Sequence, residues 1–315
     1  MNYKNRYINF KELLNRYKRV TIISHKRPDG DTISSALAMH NYLKDIGFTS
    51  ELICIDTPPQ KFSFLNGFDK YKSKIGYSDS LIITLDCANI NRCGFELEGR
   101  EIINIDHHQD NSNFGNLNIV EVDVSTTAVL YKLLKEGQKL SKKVAEALYT
   151  GLISDSQNFT TTLTSKNTFN IAKELINLGA NPSLIATKVN KSNSLAHIRI
   201  LGRAINSLEL HTDGRVAFMQ IDKDDINATG ASFADINGVI DIAISLVTVE
   251  VAILLVEYQN SIKGSIRSKN EDISKVASLF GGGGHKNASG FEVKGGKIAE
   301  IKDLLLKRIK GIIYV

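Results

Sequence analysis

Short apolar runs rich in β-branched residues recur along the first half of the chain, and amphipathic segments separate them. The runs predict strands over residues 19–24, 51–56, 81–86 and 101–106. They are continuously apolar rather than alternating, as expected for strands buried on both faces of a parallel sheet. Helical periodicity predicts helices over residues 33–46, 126–135, 142–153 and 168–178. This pattern is typical of an α/β domain with a parallel β-sheet flanked by helices.

The second half of the chain predicts a smaller α/β domain. It contains a strand (215–221), a helix (233–246) and a hairpin of two strands (249–258 and 261–267). A short helix (273–280) and a final amphipathic helix (298–309) follow. A chain of 315 residues is long enough for its core to divide into two. We therefore predict a first domain over residues 1–182, a helical connector over 183–205 and a second domain over 206–315, with a cleft between the domains.

Composition and charge narrow the class of protein. Hydrophobic residues make up 42% and charged residues 23%, which is ordinary for a soluble globular protein. The formal charge of +5 suits an anionic ligand but is too small for a protein that binds long nucleic acid. Cys54, Cys87 and Cys93 form no Cys-x-x-Cys pair, and the N-terminal segment lacks the apolar core of a signal peptide. These features predict a soluble, cytoplasmic protein with reduced thiols and no membrane span.

Acidic and imidazole side chains concentrate where the predicted strands and helices end. The residues concerned are His25, Asp29, Asp31, Asp86, Asp106, His107, His108 and Asp155. Taken singly, an aspartate at such a position is usually a turn residue or a helix cap. Together, these segments would meet beyond the carboxyl ends of the strands, where open parallel sheets bind ligands. The clustering therefore favours one functional site over separate structural roles.

The number of carboxylates in this cluster predicts a metal centre. Closely packed carboxylates cannot all remain ionised without a counter-cation. Divalent cations that prefer oxygen ligands would satisfy them, and the imidazoles favour Mn²⁺ over Mg²⁺ or Ca²⁺. Two such ions roughly 3.5–4 Å apart suit in-line displacement at phosphorus. The sequence thus predicts two Mn²⁺ ions per site and hydrolysis of a phosphate ester.

A series of motifs resembles those of the DHH phosphoesterase superfamily and its C-terminal DHH-associated domain. In the first domain they are Ser24-His-Lys-Arg-Pro-Asp-Gly-Asp31, Leu85-Asp-Cys-Ala88, Asp106-His-His108 and Ser154-Asp-Ser156. In the second they are Gly264-Ser-Ile-Arg-Ser268 and Gly281-Gly-Gly-Gly-His-Lys-Asn-Ala-Ser-Gly-Phe291. Ser34 departs from the pattern, since many members carry glycine there, but serine is small and we expect little effect. The resemblance covers nearly the whole chain.

Within the superfamily, the chain looks most like the bifunctional nanoRNases and pAp phosphatases. These enzymes degrade very short oligoribonucleotides and remove the 3′-phosphate of 3′-phosphoadenosine 5′-phosphate (pAp). The resemblance implies six metal ligands in the first, catalytic domain. His25 and Asp29 would hold one Mn²⁺. Asp31, His107 and Asp155 would hold the other, and Asp86 would bridge the two. Asp155 would also approach the first ion.

The resemblance implies catalytic and substrate-binding residues as well. His108 would contact the scissile phosphate and protonate the leaving oxygen, and Asp106 would orient an imidazole. In the second domain, consecutive glycines have no Cβ atoms, so their N–H groups can point at an anion as in phosphate loops. Arg267 can bind a phosphate through two parallel hydrogen bonds. The substrate-binding residues are thus predicted to be Arg267, Ser268, Gly282, Gly283, Gly284 and His285.

These inferences predict a hydrolase that acts on short RNA oligonucleotides and nucleotide phosphates, with no membrane or long duplex as a partner. The family also allows a homodimer. A phosphodiesterase acting on pApA or cyclic di-AMP would have the same metal site and stays an alternative. A manganese inorganic pyrophosphatase is disfavoured by the glycine-rich element and by Arg267. A catalytically silent nucleotide-binding module is disfavoured because every expected ligand is present.

Overall fold

A computed structural model describes residues 2–191 and 193–313, and the chain divides into two units between residues 192 and 193. Each unit contains its own β-sheet and its own buried apolar core. The first unit has the predicted parallel sheet with flanking helices, and the second has a mixed sheet with helices. The predicted α/β fold class is therefore confirmed.

The first unit is built on a parallel sheet with six strands among the described residues. The strands are β1 (Arg19–Ser24), β2 (Thr49–Ile53), β3 (Tyr71–Lys72), β4 (Leu81–Leu85), β5 (Ile102–Asp106) and β6 (Leu117–Val120). Their order is β3-β2-β1-β4-β5-β6, so the direction of strand addition reverses between β1 and β4. Open α/β sheets bind ligands beyond the carboxyl ends of the strands at such a point. His25 and Asp86 directly follow these two strands.

The apolar pattern predicts the four central strands but misses the two edge strands. All residues of β4 and β5 are buried, which produces the continuous apolar runs. The edge strand β3 has two residues, and β6 buries one of its four fully. A strand covered on one side leaves no continuous apolar run, so periodicity does not reveal it.

Helices pack on the sheet of the first unit and place several acidic residues. They are α1 (Tyr3–Leu14), α2 (Gly30–Asp45), α3 (Thr126–Leu134), α4 (Lys142–Asp155), α5 (Lys166–Asn177) and α6 (Pro182–Asn190). Helix α2 starts three residues earlier than predicted, because the Asp29 carboxylate accepts the backbone N–H groups of Asp31 and Thr32. At Gly30 it meets α4 closely, since an added Cβ would lie 1.9 Å from Ser154 Oγ. The close packing of Gly30 on Ser154 places the start of α2 next to the end of α4.

The second unit contains a mixed sheet, again with six strands among the described residues. They are β7 (Glu209–His211), β8 (Val216–Ile221), β9 (Val251–Tyr258), β10 (Ser261–Ser268), β11 (Gly283–His285) and β12 (Ala288–Lys294). Their order is β11-β12-β10-β9-β8-β7; β8 and β9 run parallel and the other neighbours antiparallel. The predicted hairpin is present as β9 and β10.

Helices cover both faces of this second sheet. They are α7 (Leu195–Asn206), α8 (Lys223–Thr229), α9 (Val239–Ile244), α10 (Ser274–Ser278) and α11 (Ile298–Ile313). One apolar cluster joins the sheet to α10 and α11, and another joins it to α7 and α9. The region 183–205, predicted as a connector, thus contains most of α6 in the first unit and most of α7 in the second.

The helix predicted over residues 233–246 is interrupted in the structure. A 3₁₀ helix (Phe233–Ile236) and α9 are separated by Asn237 and Gly238. Gly238 has a φ of 82°, a left-handed conformation that glycine adopts readily and that ends a right-handed helix. The apolar periodicity continues across this break, which is why the pattern predicted a single helix.

Two further observations bear on the sequence-based predictions. Cys54, Cys87 and Cys93 all lie within the described residues and are buried free thiols. Among the helices that the structure describes, none combines the length and the apolar character needed to cross a bilayer.

Candidate metal centre

Asp86 lies at the centre of a group of imidazoles and carboxylates in the first unit. Its two carboxylate oxygens face different histidines: Oδ2 lies 3.5 Å from His25 Nε2, and Oδ1 lies 3.6 Å from His107 Nε2. Asp86 has a φ of 60°, which is unusual for a residue other than glycine. Such backbone conformations cost energy and concentrate at functional sites. The carboxylate is therefore held between two potential sets of metal ligands.

Three groups of side chains in the described part of the chain could each hold a metal ion. In each group the ligand atoms lie within 4.8 Å of one another. The groups are His25, Asp29 and Asp86; Asp31, His107 and Asp155; and Asp86, His107 and His108. Asp155 joins the second group from the last turn of α4, where its Oδ2 lies 3.4 Å from His107 Nε2. The structure thus brings all six predicted metal ligands together.

Backbone carbonyls orient two of the imidazoles. Nδ1 of His25 lies 2.8 Å from the Lys26 carbonyl oxygen, and Nδ1 of His107 lies 3.0 Å from that of Asp123. Because a carbonyl can only accept, each Nδ1 must donate, and in the neutral ring Nε2 then carries the lone pair. Metal-binding histidines commonly use such a hydrogen bond on the opposite nitrogen. In the neutral ring, both Nε2 atoms can therefore offer a lone pair to a metal ion.

Asp106 and His108, the predicted catalytic residues, contact each other. His108 Nδ1 lies 2.8 Å from Asp106 Oδ1 and 3.7 Å from Asp86 Oδ1. Asp106 is fully buried, and its Oδ2 accepts a hydrogen bond of 2.5 Å from Asn111 Nδ2. The buried carboxylate can therefore fix the orientation of the His108 ring. The distance to Asp86 also puts His108 within reach of a metal bound there.

Sequence reasoning missed three threonines that hold the carboxylates in place. Thr32 and Thr126 donate their hydroxyls to Asp86, at 2.5 and 3.0 Å. The Asp31 carboxylate accepts the backbone N–H groups of Thr126 and Thr127 at 2.6 and 3.1 Å, and the Thr127 hydroxyl at 2.8 Å. The run of hydroxyl residues that opens α3 is an ordinary helix start in sequence. Only the packing of α3 against α2 gives it this role.

The charges in this cluster do not balance without a cation. Burial, together with the nearby charge of Asp86, raises the pKa of Asp31 to about 7. Burial and the carboxylates of Asp31 and Asp86 raise the pKa of Asp155 to about 9. Burial also opposes ionisation of Asp86, but contacts with His25 and His107 hold its pKa well below the usual range. Carboxylates that resist ionisation beside imidazoles form a donor set that fits divalent metal ions.

The imidazoles respond to the same carboxylates. Burial alone would lower the pKa of His107, but Asp86, Asp31 and Asp155 raise it to about 9. The pKa of His108 is also raised, because its hydrogen bond to Asp106 and the charge of Asp86 outweigh the effect of burial. In the absence of metal, protons therefore take the place of cations in this cluster.

Predicted substrate-binding residues of the second unit lie on adjacent strands. Arg267 of β10 pairs with Ala288 of β12, which in turn pairs with His285 of β11. Directly paired residues of antiparallel strands point to the same face, so Arg267 and His285 share one face of the sheet. Arg267 Nε lies 3.5 Å from Asp241 Oδ1 at a partly exposed position. Ser268 is buried, and its hydroxyl accepts the Glu271 N–H at 2.7 Å, which is a structural role.

Part of the glycine run forms the edge strand β11, and the role of Gly282, Gly283 and Gly284 in substrate binding stays a prediction. Gly283 and Gly284 belong to strand β11, which pairs with Gly290 and Ser289 of β12. An added Cβ at Gly282 would lie 2.2 Å from the Gly290 carbonyl oxygen, and one at Gly284 would lie 2.6 Å from that of Ala288. Glycine is therefore needed for the close approach of two backbones at Gly282 and Gly284. At Gly283 an added Cβ would meet no atom within 4 Å.

A parallel α/β sheet with clustered carboxylates and imidazoles at its switch point defines a class of metal-binding phosphoesterases. The DHH family N-terminal domain matches residues 19–152, and the DHHA1 domain matches residues 213–311. The first unit therefore contains a DHH family N-terminal domain, and the second unit contains a DHHA1 domain. The predicted superfamily, the C-terminal DHH-associated domain and the classification as a phosphoesterase are confirmed.

Curated relatives and a solved structure resemble the chain over most of its length. A protein named bifunctional oligoribonuclease and PAP phosphatase NrnA, from Thermus thermophilus, is 26% identical over 92% of this chain and 89% of the relative. The protein of the same name from Bacillus subtilis is 26% identical over 88% of this chain and 90% of the relative. The crystal structure of an exopolyphosphatase-related protein from Bacteroides fragilis is 25% identical, with a TM-score of 0.90 over 98% of this chain and 97% of that chain.

Proposed function

We propose that this protein is a Mn²⁺-dependent phosphoesterase that hydrolyses short oligoribonucleotides to mononucleotides and removes the 3′-phosphate of pAp. One observation supports it above the others: two sets of metal ligands meet at the shared carboxylate of Asp86. The two similar proteins named as oligoribonucleases and PAP phosphatases support the choice of substrates. The mixture of imidazole and carboxylate donors supports Mn²⁺.

The donor groups divide into two proposed metal sites. His25 and Asp29 would hold one ion, Asp31, His107 and Asp155 would hold the other, and Asp86 would be shared by both. When bound, two such ions lower the pKa of water and stabilise negative charge on phosphoryl oxygens. The Nδ1 hydrogen bonds described above keep His25 and His107 in the tautomer that a metal requires.

We assign acid catalysis to His108. Asp106 orients its ring, and Asp106 and Asp86 raise its pKa, which favours the protonated imidazole. A protonated imidazole at this position can bind a phosphoryl oxygen and give its proton to the leaving oxygen. Asp106 acts only through His108 and is a positioning residue.

The proposed substrates are tested by direct comparison of turnover. The purified protein with Mn²⁺ should release mononucleotides from a labelled ribotrinucleotide and phosphate from pAp. The same protein in EDTA serves as the control and should release neither. Cleavage of pApA or cyclic di-AMP alone would favour the alternative phosphodiesterase. No turnover of any of the four compounds would contradict a hydrolase and favour a nucleotide-binding module.

We propose that the second unit binds the substrate through Arg267 and His285. Arg267→Ala is expected to raise KM for the trinucleotide about 10- to 100-fold, because a charge-assisted hydrogen bond contributes roughly 1.5–3 kcal/mol. Bound manganese, measured by elemental analysis, should stay unchanged, since the metal ligands lie in the first unit. Arg199→Ala, which removes an exposed arginine of α7, is the matched control and should keep the wild-type KM. Loss of metal from Arg267→Ala would contradict this assignment.

A further inference from the structure

A basic pocket of about 400 Å³ lies in the first unit beside the candidate metal centre. Its lining residues are Lys26, Arg27, Asn91 and Arg92. Lys26 and Arg27 directly follow His25 at the end of β1, and Asn91 and Arg92 belong to the 3₁₀ helix (Ile90–Cys93) that follows Asp86. The two loops that supply His25 and Asp86 therefore also supply every residue of this pocket.

The pocket is held in shape by backbone contacts rather than by its charged groups. The Lys26 N–H donates to the Arg92 carbonyl oxygen at 2.8 Å and joins the two loops. Gly94 has a φ of 79°, and an added Cβ there would lie 2.8 Å from Lys26 Cε. Glycine at this position thus allows the turn and leaves space for the lysine side chain. The backbones of Lys26 and Arg92 are thus joined without an ion pair between side chains.

The three cations of the pocket have no carboxylate partner among the described residues. None of Lys26, Arg27 and Arg92 forms an ion pair within 4.0 Å in residues 2–191 and 193–313. The nearby carboxylate of Asp56 accepts the backbone N–H of Arg27 at 2.8 Å instead. Three positive side chains without an ion pair among the described residues line one cavity, and such an arrangement attracts anions.

Arg92 connects the pocket to the metal centre. Its Nη2 lies 3.3 Å from His25 Nε2, the nitrogen that carries the lone pair in the neutral ring. A metal on Nε2 would use the same lone pair, so Arg92 would then need another acceptor. A phosphate oxygen beside the centre is the acceptor that best matches a guanidinium.

We propose that this pocket binds a second phosphate of the nucleotide substrate, the one next to the phosphate that is cleaved. This inference rests on the proposed function, because it assumes that the cleaved phosphate lies at the metal centre. For pAp the second phosphate is the 5′-phosphate, and for an oligonucleotide it is the neighbouring phosphodiester. Lys26 and Arg27 supply point charges and hydrogen-bond donors, and Arg92 lies between the two phosphates.

The first test compares substrates that differ only in the second phosphate. Wild-type protein should have a higher kcat/KM for pAp than for 3′-AMP, which lacks the 5′-phosphate. In the double variant Lys26→Gln and Arg27→Gln, the ratio of the two kcat/KM values should fall about 10- to 100-fold. Both side chains are exposed, so the fold should tolerate the change. Lys173→Gln, at an exposed position of α5, is the control for loss of charge and should keep the ratio.

The second test measures binding and does not depend on turnover. Calorimetry on the manganese-loaded protein should show that 5′-AMP binds more tightly than adenosine. The double variant should lose about tenfold or more of the affinity for 5′-AMP. The proposed phosphate-binding role of the pocket would be wrong if wild type and variant bound 5′-AMP equally well. It would also be wrong if wild type bound 5′-AMP no more tightly than adenosine. If the protein bound 5′-AMP as expected but did not hydrolyse pAp, the proposed function would be rejected and the phosphate-binding role of the pocket would stand.

Discussion

Replacing Asp86 by asparagine is expected to lower kcat for pAp and for a ribotrinucleotide by at least about 10³-fold, since charge stabilisation at a phosphoryl group is worth several kcal/mol. The carboxylate faces both ligand sets, with one oxygen 3.5 Å from His25 Nε2 and the other 3.6 Å from His107 Nε2. An amide presents one oxygen and no negative charge, so one ligand set loses its oxygen and both sets lose the shared charge. Steady-state kinetics with added Mn²⁺ and elemental analysis of bound metal check this prediction.

Asparagine is chosen because it keeps the shape of the side chain: its oxygen can accept from one of Thr32 and Thr126, and its NH2 group can donate to the hydroxyl oxygen of the other. Circular dichroism should therefore show a folded variant, and bound manganese should fall. Asp79→Asn, which changes an exposed carboxylate outside the cluster, is the matched control and should retain wild-type kcat and metal content. An Asp86→Asn protein with wild-type turnover would show that the cluster is not the catalytic centre.

Removing the metal is expected to destabilise the first unit, and the loss should increase with pH. A ligand present at about 100 times its Kd stabilises the folded state by roughly 2.7 kcal/mol per site. For a unit of this size, that corresponds to a rise in Tm of about 5 to 10 °C for each ion. Thermal melts in Mn²⁺ and in EDTA, recorded from pH 5 to pH 9, measure both effects.

The sign of the pH dependence follows from the raised pKa values in the metal-free cluster. The pKa is about 7 for Asp31 and about 9 for Asp155, whereas an aspartate in the unfolded chain titrates near 4. Between these values the folded protein retains protons that the unfolded chain has lost, so stability falls as pH rises. His107, with a pKa of about 9 against about 6.5 when unfolded, acts in the same direction above pH 6.5.

Metal binding reverses this trend because the ions bind the deprotonated ligands. The difference in Tm between the Mn²⁺ and EDTA samples should therefore widen from pH 5 to pH 9. Mg²⁺ at the same concentration is a useful comparison, since imidazole ligands favour Mn²⁺. Identical melting curves with and without Mn²⁺ at pH 8 would argue against a metal centre formed by these residues.

The residues of the candidate metal centre could be named from the sequence because they follow apolar strand patterns. His25 and Asp86 come directly after β1 and β4, and parallel strands carry such residues to one edge of the sheet. The hydrogen bonds from Thr126 and Thr127 to Asp31 could not be predicted in this way. These residues are about 95 positions apart in the chain and meet only because α3 packs beside the start of α2.

The glycine run shows a second limit of local reasoning. A series of glycines permits many backbone conformations, and the sequence did not predict that part of the run forms a strand. Pairing with the neighbouring strand β12 produces this conformation, and the β12 backbone lies so close to Gly282 and Gly284 that no Cβ would fit. The same holds for the basic pocket, whose two halves lie about 65 residues apart and are joined by the contact from Lys26 to Arg92.

The amino-acid sequence by itself determined the parallel sheet, the hairpin of the second unit and the chemical identity of the metal donors. These features depend on periodicity and on side-chain chemistry, which are local properties of the chain. The tertiary structure alone decided which carboxylate oxygen faces which imidazole nitrogen. It also decided which ring nitrogen donates to a backbone carbonyl and which cationic side chains line one cavity. Such pairings depend on strand order and helix packing, because they join residues that are distant in sequence and meet only in the folded chain.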